Sequence, residues 1–207
     1  MTSAADAVLA VEPTQAAYVP EYANPLPLGL LGYGTSTVLL SLAFAGVFDL
    51  GTMVLSTAIF FGGVAQTIVA VLCYRRNDSF GLTAFGGYSF LWLSLAFLLI
   101  GQTNGWWPTE NSGTAMGWYL LLWMVFTLGL FVGSFLLPRV LTLVLTLTWI
   151  LLLVLAIANF TDSETLTKIG GWEGVATGAS AIYLAFAFLL NEMFDRTILP
   201  VGDPLVS

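Results

Sequence analysis

The sequence contains no histidine and only one cysteine, Cys73. These absences argue against a histidine-based catalytic triad or a metal site, and they leave no internal disulfide possible. Charged residues make up 8% of the 207 residues, whereas an ordinary soluble domain has roughly 25%. The five Lys and Arg residues are too few and too scattered to follow a phosphate backbone. We therefore expect no enzyme, no metal or cofactor site and no nucleic-acid partner.

Apolar residues, by contrast, make up 58% of the chain. A soluble protein of this size could not bury so much apolar surface in one core. A helix needs about 20 mostly apolar residues to cross the hydrocarbon of a bilayer. Reading between charged and polar segments gives six such stretches: Leu28 to Phe48, Gly51 to Tyr74, about Gly81 to Ile100, Ala115 to Leu137, Val140 to Phe160, and about Gly174 to Leu190.

This pattern predicts an all-α integral membrane protein with six transmembrane helices in residues 24–192. We expect residues 1–23 to be a mobile N-terminal tail, because they lack the basic start and apolar run of a cleavable signal, and residues 193–207 to be a C-terminal tail. Cytoplasmic loops carry the excess of Lys and Arg. Both tails share their side with Arg75, Arg76, Arg139 and Arg196, against Lys168 opposite, so we place both termini in the cytoplasm.

The predicted spans contain neutral polar residues but no Asp, Glu, Lys or Arg in their middle. Ion pumps and voltage sensors usually keep charged groups there, so the sequence argues against both. Gln66 and Asn159 stand out, because a buried carboxamide costs free energy unless its donors and acceptor find partners. They would either join helices or line a watery path, and the sequence leaves both roles open.

Two segments carry unusual backbone signals. Residues 24–30, NPLPLGL, place two prolines at the start of the first span, where free N–H groups attract a carboxylate; capping of that helix by Asn24 is the simpler alternative. Gly62 and Gly63 lie one turn before Gln66, and such a pair loosens a helix and lets a neighbour come close. Glycines four residues apart, as at 129/133, 170/174 and 174/178, predict close helix packing, within one chain or between subunits.

Four motifs, in order along the chain, resemble those of a known family. NPLPLGL departs from the signature NPAPLGL only at Leu26, and FGGVAQ at residues 61–66 resembles the second motif. FGLTAF at residues 80–85, with Tyr88 and Trp92, resembles the third. GASAIYL at residues 178–184, then Asn191 and LPVG at residues 199–202, resembles the family's ending. The chain is thereby identified as a member of the acetate uptake transporters, the succinate–acetate permease-like proteins.

The resemblance implies a six-helix protomer with its own central pore, a homo-hexamer in the cytoplasmic membrane, and transport of acetate and other small carboxylates such as succinate. It also implies a narrow constriction of Phe, Tyr and Leu from three helices. The Phe position falls on Tyr33, whose hydroxyl is a departure, and the Tyr position on Tyr88. The Leu position falls on Leu147 or Thr148, since no motif fixes the register of the fifth span.

A carboxylate that enters an apolar slab costs on the order of tens of kcal/mol, so its path needs polar mouths and only a short dry section. We expect polar groups of Asn24, Ser36, Thr37, Gln66 and Asn159 to line those mouths. A passive channel needs no titrating group, whereas proton symport would draw on Glu192, Glu173 or Asp49 near the span ends. Two other functions stay open: a channel for neutral solutes such as urea or short amides, and a sensor or scaffold.

Overall fold

The computed structural model describes residues 22–106 and 112–206. Most of the predicted N-terminal tail and the polar residues 107–111 therefore lie outside the described residues. Six helices in the described part are long and apolar enough to cross a membrane. They are α1 (Leu26–Phe44), α2 (Thr52–Arg75), α3 (Ser79–Thr103), α4 (Ser112–Leu136), α5 (Arg139–Thr161) and α6 (Glu164–Met193). The prediction of an all-α protein with six spans is confirmed.

The boundary between α5 and α6 differs most from the sequence prediction. Asp162 adopts a left-handed backbone (φ 48°), which ends α5. The Ser163 hydroxyl then accepts a hydrogen bond from the Leu166 N–H (3.3 Å) and caps α6 at its start. Charged residues had suggested that the sixth span begins at about Gly174, but α6 includes ten earlier residues. Glu173 therefore lies inside this helix.

The middle of α2 is not a regular α-helix. Ala58–Ala65 forms a wider π-helical segment between Thr52–Thr57 and Gln66–Arg75, a rare conformation that is frequent at functional sites. A Cβ at Gly62 would lie 2.7 Å from Cγ of Trp92 on α3. The prediction that this glycine pair loosens the helix and admits a neighbour is confirmed, because Trp92 occupies the space a side chain would need.

Helices α1 and α6 pack closely against each other, because glycines lie where their backbones meet. A Cβ at Gly178 would lie 2.6 Å from the Gly34 carbonyl oxygen and 2.9 Å from the Val38 nitrogen. One turn earlier, a Cβ at Gly174 would collide with the Ser41 hydroxyl. Gly170, Gly174 and Gly178 therefore pack within one chain. Gly129 on α4 is different, since nothing lies within 4 Å of its Cβ position.

Residues after α6 turn back along the bundle. The Asn191 carboxamide oxygen accepts hydrogen bonds from the Ile198 and Leu199 N–H groups (2.7 and 2.9 Å), which reverses the chain. The Val201 carbonyl then accepts from the Val140 N–H at 3.0 Å, beside the turn between α4 and α5. The terminal motif thus ties the end of the chain to the start of α5. The predicted C-terminal tail is packed against the helices over this stretch.

Candidate functional site

Two cavities lie end to end inside the bundle. The large cavity has a volume of about 380 Å³ and extends from the centre of the bundle to Gln102, Asn159 and Asp162. The small cavity has a volume of about 140 Å³ and extends the other way, to Asp78 and Pro138. Because α1, α3 and α5 contribute walls to both, the cavities follow one axis through the bundle.

Three residues line both cavities and separate them: Tyr33 on α1, Tyr88 on α3 and Thr148 on α5. We call this trio the neck. The two tyrosine rings lie 5.2 Å apart, tilted by 44°. All three side chains are buried. The neck is therefore a narrow section with a space on each side of it.

The hydroxyl of Tyr33 bonds across the neck to the helix opposite. Its oxygen lies 2.6 Å from Oγ1 of Thr148, and that threonine donates its own proton to the Val144 carbonyl at 2.7 Å. A threonine hydroxyl has one proton but can accept as well as donate. Tyr33 is therefore the donor to Thr148.

Tyr88 is held by a second pair of the same kind. Its hydroxyl oxygen lies 3.0 Å from Oγ1 of Thr127 on α4, and Thr127 donates to the Trp123 carbonyl at 2.8 Å. The rings of Tyr88 and Phe126 also pack edge to face, with centroids 5.6 Å apart. These contacts fix the rotamer of Tyr88. Because Thr127 gives its one proton to the Trp123 carbonyl, Tyr88 is the donor to Thr127.

The structure distinguishes the two positions left open on the fifth span. Thr148 lies in the neck, whereas Leu147 is half-buried and lines neither cavity. The helix period explains the difference, because the buried face of α5 recurs at intervals of three and four residues. Its members are Val144, Leu145, Thr148, Leu151, Leu152 and Leu155.

Three of the predicted polar lining residues border the cavities. Thr37 and Asn159 line the large cavity, and both donate to carbonyls one turn back on their own helices (2.7 and 2.8 Å). Gln66 lines the small cavity and is fully buried. Its Nε2 donates to the Gly62 carbonyl at 2.8 Å, while its Oε1 has no hydrogen-bond partner among the described residues.

The other two predicted polar residues lie outside the walls of both cavities. Ser36 is buried between α1 and α2, where it donates to the Thr57 carbonyl at 3.3 Å. Asn24 precedes α1, and its Oδ1 accepts from the Leu26 N–H at 3.1 Å. Its Nδ2 donates to Glu192 at 3.1 Å, which joins the start of α1 to the end of α6. The simpler interpretation of Asn24, helix capping, matches this geometry.

Several residues near the site were not assigned a role from sequence. Thr127 fixes Tyr88, and Trp92 lines the large cavity with an indole N–H that has no partner among the described residues. Trp92 lies one turn after Tyr88 on α3, and this four-residue spacing was the signal in the sequence that both side chains face the same side. Asp78 and Asp162 lie in the walls near the far ends, where each belongs to a helix boundary.

The charged residues that line the two cavities are acidic. No Lys or Arg in residues 22–106 or 112–206 lines either cavity, whereas Asp78 borders the small one and Asp162 the large one. Lys168 lies in a neighbouring hollow with Asp162 and Glu164. Glu173 lines neither cavity; its Oε1 accepts from the Thr177 hydroxyl at 2.9 Å, and its buried Oε2 has no partner in the described part of the chain.

Several known proteins are similar to this chain in sequence, and a solved structure is also similar in fold. The succinate-acetate/proton symporter SatP of Escherichia coli (strain K12) is 43% identical over 181 residues, which cover 87% of this chain and 96% of SatP. Ammonia transport outward protein 2 of Saccharomyces cerevisiae is 34% identical over 175 residues, 82% of this chain and 62% of the yeast protein. A solved structure of the bacterial acetate channel SatP matches with a TM-score of 0.85 and 43% identity, over 88% of this chain and 100% of that one.

A family model matches residues 8–202, nearly the whole chain. The resemblance seen in the four motifs is thereby confirmed. The chain belongs to the GPR1/FUN34/yaaH family.

Proposed function

We propose that the chain transports acetate, and other small carboxylates such as succinate, across a membrane through the neck. The observation that carries this proposal is the pair of cavities that meet at Tyr33, Tyr88 and Thr148. Proteins similar to this chain support acetate as the substrate, since one is named a succinate-acetate/proton symporter and the similar solved structure is that of an acetate channel.

The geometry suits a small carboxylate for a physical reason. Transfer of a charged group into an apolar slab is costly unless polar groups replace its hydration, so a path needs polar groups close to its dry section. Thr37 and Asn159 provide polar groups on one side of the neck, while on the other side Gln66 and Asp78 lie among otherwise mostly apolar residues. The aromatic rings of Tyr33 and Tyr88, 5.2 Å apart, give the neck apolar walls that accept a methyl group. Asn24 and Ser36 act indirectly, by holding the start and the middle of α1 in place.

The arginine distribution sets the proposed orientation. We place both termini, and the mouth of the small cavity, on the cytoplasmic side of the cytoplasmic membrane. Both cavities lie within one chain, so each protomer has its own path. The homo-hexamer rests on the family resemblance, and the exposed apolar residues of α4, such as Leu122, Val125 and Val132, offer surface for lipid or for a neighbouring protomer.

Uptake into liposomes tests this function. Purified protein is reconstituted, and entry of radiolabelled acetate is compared with entry into protein-free liposomes, since acetic acid also crosses bare lipid. We expect protein-dependent uptake that excess unlabelled succinate reduces. Uptake equal to that of empty liposomes, with a folded protein, would contradict the proposal.

A neutral-solute channel is the second candidate. It is favoured by the absence of a cationic side chain in the described cavity walls and by the likeness to a yeast protein named for ammonia transport. The same liposomes distinguish the two functions with labelled acetamide and urea. Entry of these amides without any entry of acetate would replace the first proposal with this one.

A further inference from the structure

The neck is not purely apolar, because hydroxyl oxygens from α1 and α5 meet in it. Those of Tyr33 and Thr148 lie 2.6 Å apart at the point where the two cavities join. Thr37, one turn further along α1, adds a third hydroxyl in the wall of the large cavity. A solute in the neck therefore meets hydroxyl oxygens as well as the faces of aromatic rings.

The protons of these three hydroxyls are already used in hydrogen bonds. Thr37 donates to the Tyr33 carbonyl, and Thr148 donates to the Val144 carbonyl, each at 2.7 Å. Tyr33 in turn donates to Thr148. A hydroxyl oxygen has two lone pairs in addition to its proton. The neck therefore presents free lone pairs, which can accept a hydrogen bond from an O–H group of a solute.

The small cavity continues this pattern on the far side of the neck. Gln66 lines it, and its amide donates to the Gly62 carbonyl at 2.8 Å. The other end of the same amide, the carbonyl oxygen Oε1, has no partner among the described residues. A solute that carries a hydroxyl group can supply the donor that this oxygen lacks.

The large cavity offers the opposite polarity beside the neck. Trp92 lines it one turn after Tyr88, and its buried indole N–H has no partner in the described part of the chain. An indole N–H only donates, whereas an ionised carboxyl group only accepts. A small solute with both a carboxyl group and a hydroxyl group complements the donor before the neck and the acceptors within it.

We propose that the hydroxyl pair Tyr33–Thr148 admits short hydroxy acids, such as glycolate and 3-hydroxypropionate, in addition to acetate. The proposal rests on the transport function and names a further substrate class of the same site. A solute hydroxyl loses its hydration in a narrow section, which is unfavourable unless the wall takes over its hydrogen bond. The pair takes it over by accepting, whereas the alkyl group of a simple acid of the same size needs no such partner.

Glycolate and propionate are matched probes for this proposal. They have the same number of non-hydrogen atoms, and glycolate carries a hydroxyl where propionate carries a methyl group. Uptake of each labelled acid into liposomes, less its uptake into protein-free liposomes, gives a glycolate-to-propionate ratio. Because the ratio is compared between variants at one pH, differences in ionisation between the two acids cancel. 3-Hydroxypropionate and butyrate repeat the comparison with the hydroxyl one carbon further from the carboxyl group.

The double variant Tyr33→Phe/Thr148→Val removes both hydroxyls and nearly keeps the shape of both side chains. We expect its glycolate-to-propionate ratio to fall about three- to tenfold, the equivalent of one hydrogen bond. Each single variant retains one of the two oxygens, so its ratio should fall less. A merely structural effect on the neck would change the uptake of both acids alike and would not move the ratio.

The second tyrosine–threonine pair of the bundle provides a matched comparison. Tyr88→Phe/Thr127→Val removes the same two chemical groups, but this pair is directed to α4, where Thr127 lines neither cavity. We therefore expect a smaller fall in the ratio from this variant. Thr146→Val controls for substitution on α5, because Thr146 bonds its own backbone outside both cavities.

Two results would overturn the proposal. One is an unchanged ratio in a folded Tyr33→Phe/Thr148→Val protein, and the other is an equal fall in the two double variants. Acetate uptake separates these results from a failure of the transport function itself. If the original chain takes up acetate no faster than empty liposomes, the transport function fails. If it takes up acetate and propionate but no glycolate, transport stands and the assignment of hydroxy acids is wrong.

Discussion

At the scale of single residues, the neck combines rigidity with polarity. Tyr33 and Tyr88 are each fixed by a threonine from another helix, so their rings form a defined opening. Removal of a ring changes the size of this opening, whereas removal of a hydroxyl changes the hydrogen bonds at the neck. The two kinds of substitution therefore report on different properties of one site.

Replacement of Tyr88 with alanine tests the size of the opening. Loss of the ring should widen the neck, so we expect uptake of longer acids such as butyrate to rise relative to acetate by about an order of magnitude, as for differences of 1–3 kcal/mol in pocket fit. Competition uptake in liposomes measures this ratio. Tyr119→Ala is the control, because Tyr119 bonds Ser94 away from both cavities. The same uptake and the same ratio as in the original chain would refute the assignment of Tyr88.

The motifs pointed to Tyr33 and Tyr88, because each lies at a fixed distance from a family signature, and the structure brings both residues together between the two cavities. The motifs were insufficient for Thr148, since its helix has no motif and its neighbour Leu147 points about 100° away on the same helix. The hydroxyl pairs could not be predicted either. Each joins residues far apart in the chain, and only the packed bundle brings them within bonding distance.

At the scale of helices, glycine controls how closely the elements approach. The pair α1–α6 touches backbone to backbone at Gly34 and Gly178, and α3 reaches α2 through Gly62. These contacts set the positions of Tyr33 and Trp92. The sequence predicted close packing here but could not say which glycines face a neighbour.

A pair of alanine substitutions tests this packing. Gly178→Ala would place a Cβ against the backbone of α1, so we expect a loss of about 1–3 kcal/mol in the free energy of unfolding from overpacking. Gly129→Ala meets nothing within 4 Å, and alanine is the better helix former by about 0.5–1 kcal/mol. Thermal unfolding in detergent measures both. Equal effects at the two positions would show that the α1–α6 contact is not tight.

The start of α6 could not be read from hydropathy alone. Glu164, Lys168 and Glu173 favour a loop by hydropathy, but Glu164 and Lys168 are exposed in the first turns of a capped helix. Glu173 is half-buried and accepts a hydrogen bond from Thr177 one turn later. The left-handed Asp162 and the Ser163 cap were the local signals of the true start.

At the scale of the whole molecule, the carboxylates that could support proton symport are not among the residues that line the two cavities. Glu173, Glu192 and Asp49 line neither cavity. We therefore expect Glu173→Gln to keep the acceleration of acetate uptake by an inward proton gradient, with Glu192→Gln compared in parallel. Loss of that acceleration in a folded Glu173→Gln protein would assign the proton to Glu173.

The most direct test of the central claim, that solutes pass between Tyr33, Tyr88 and Thr148, uses the single native cysteine. Cys73 is buried and is first replaced with alanine. Thr148→Cys and Leu147→Cys are then made in that background, reconstituted, and treated with a small methanethiosulfonate. The account predicts that modification at position 148 stops acetate uptake and that treatment of the Leu147→Cys protein leaves uptake intact. Full uptake through a protein shown by mass to be modified at position 148 would contradict it.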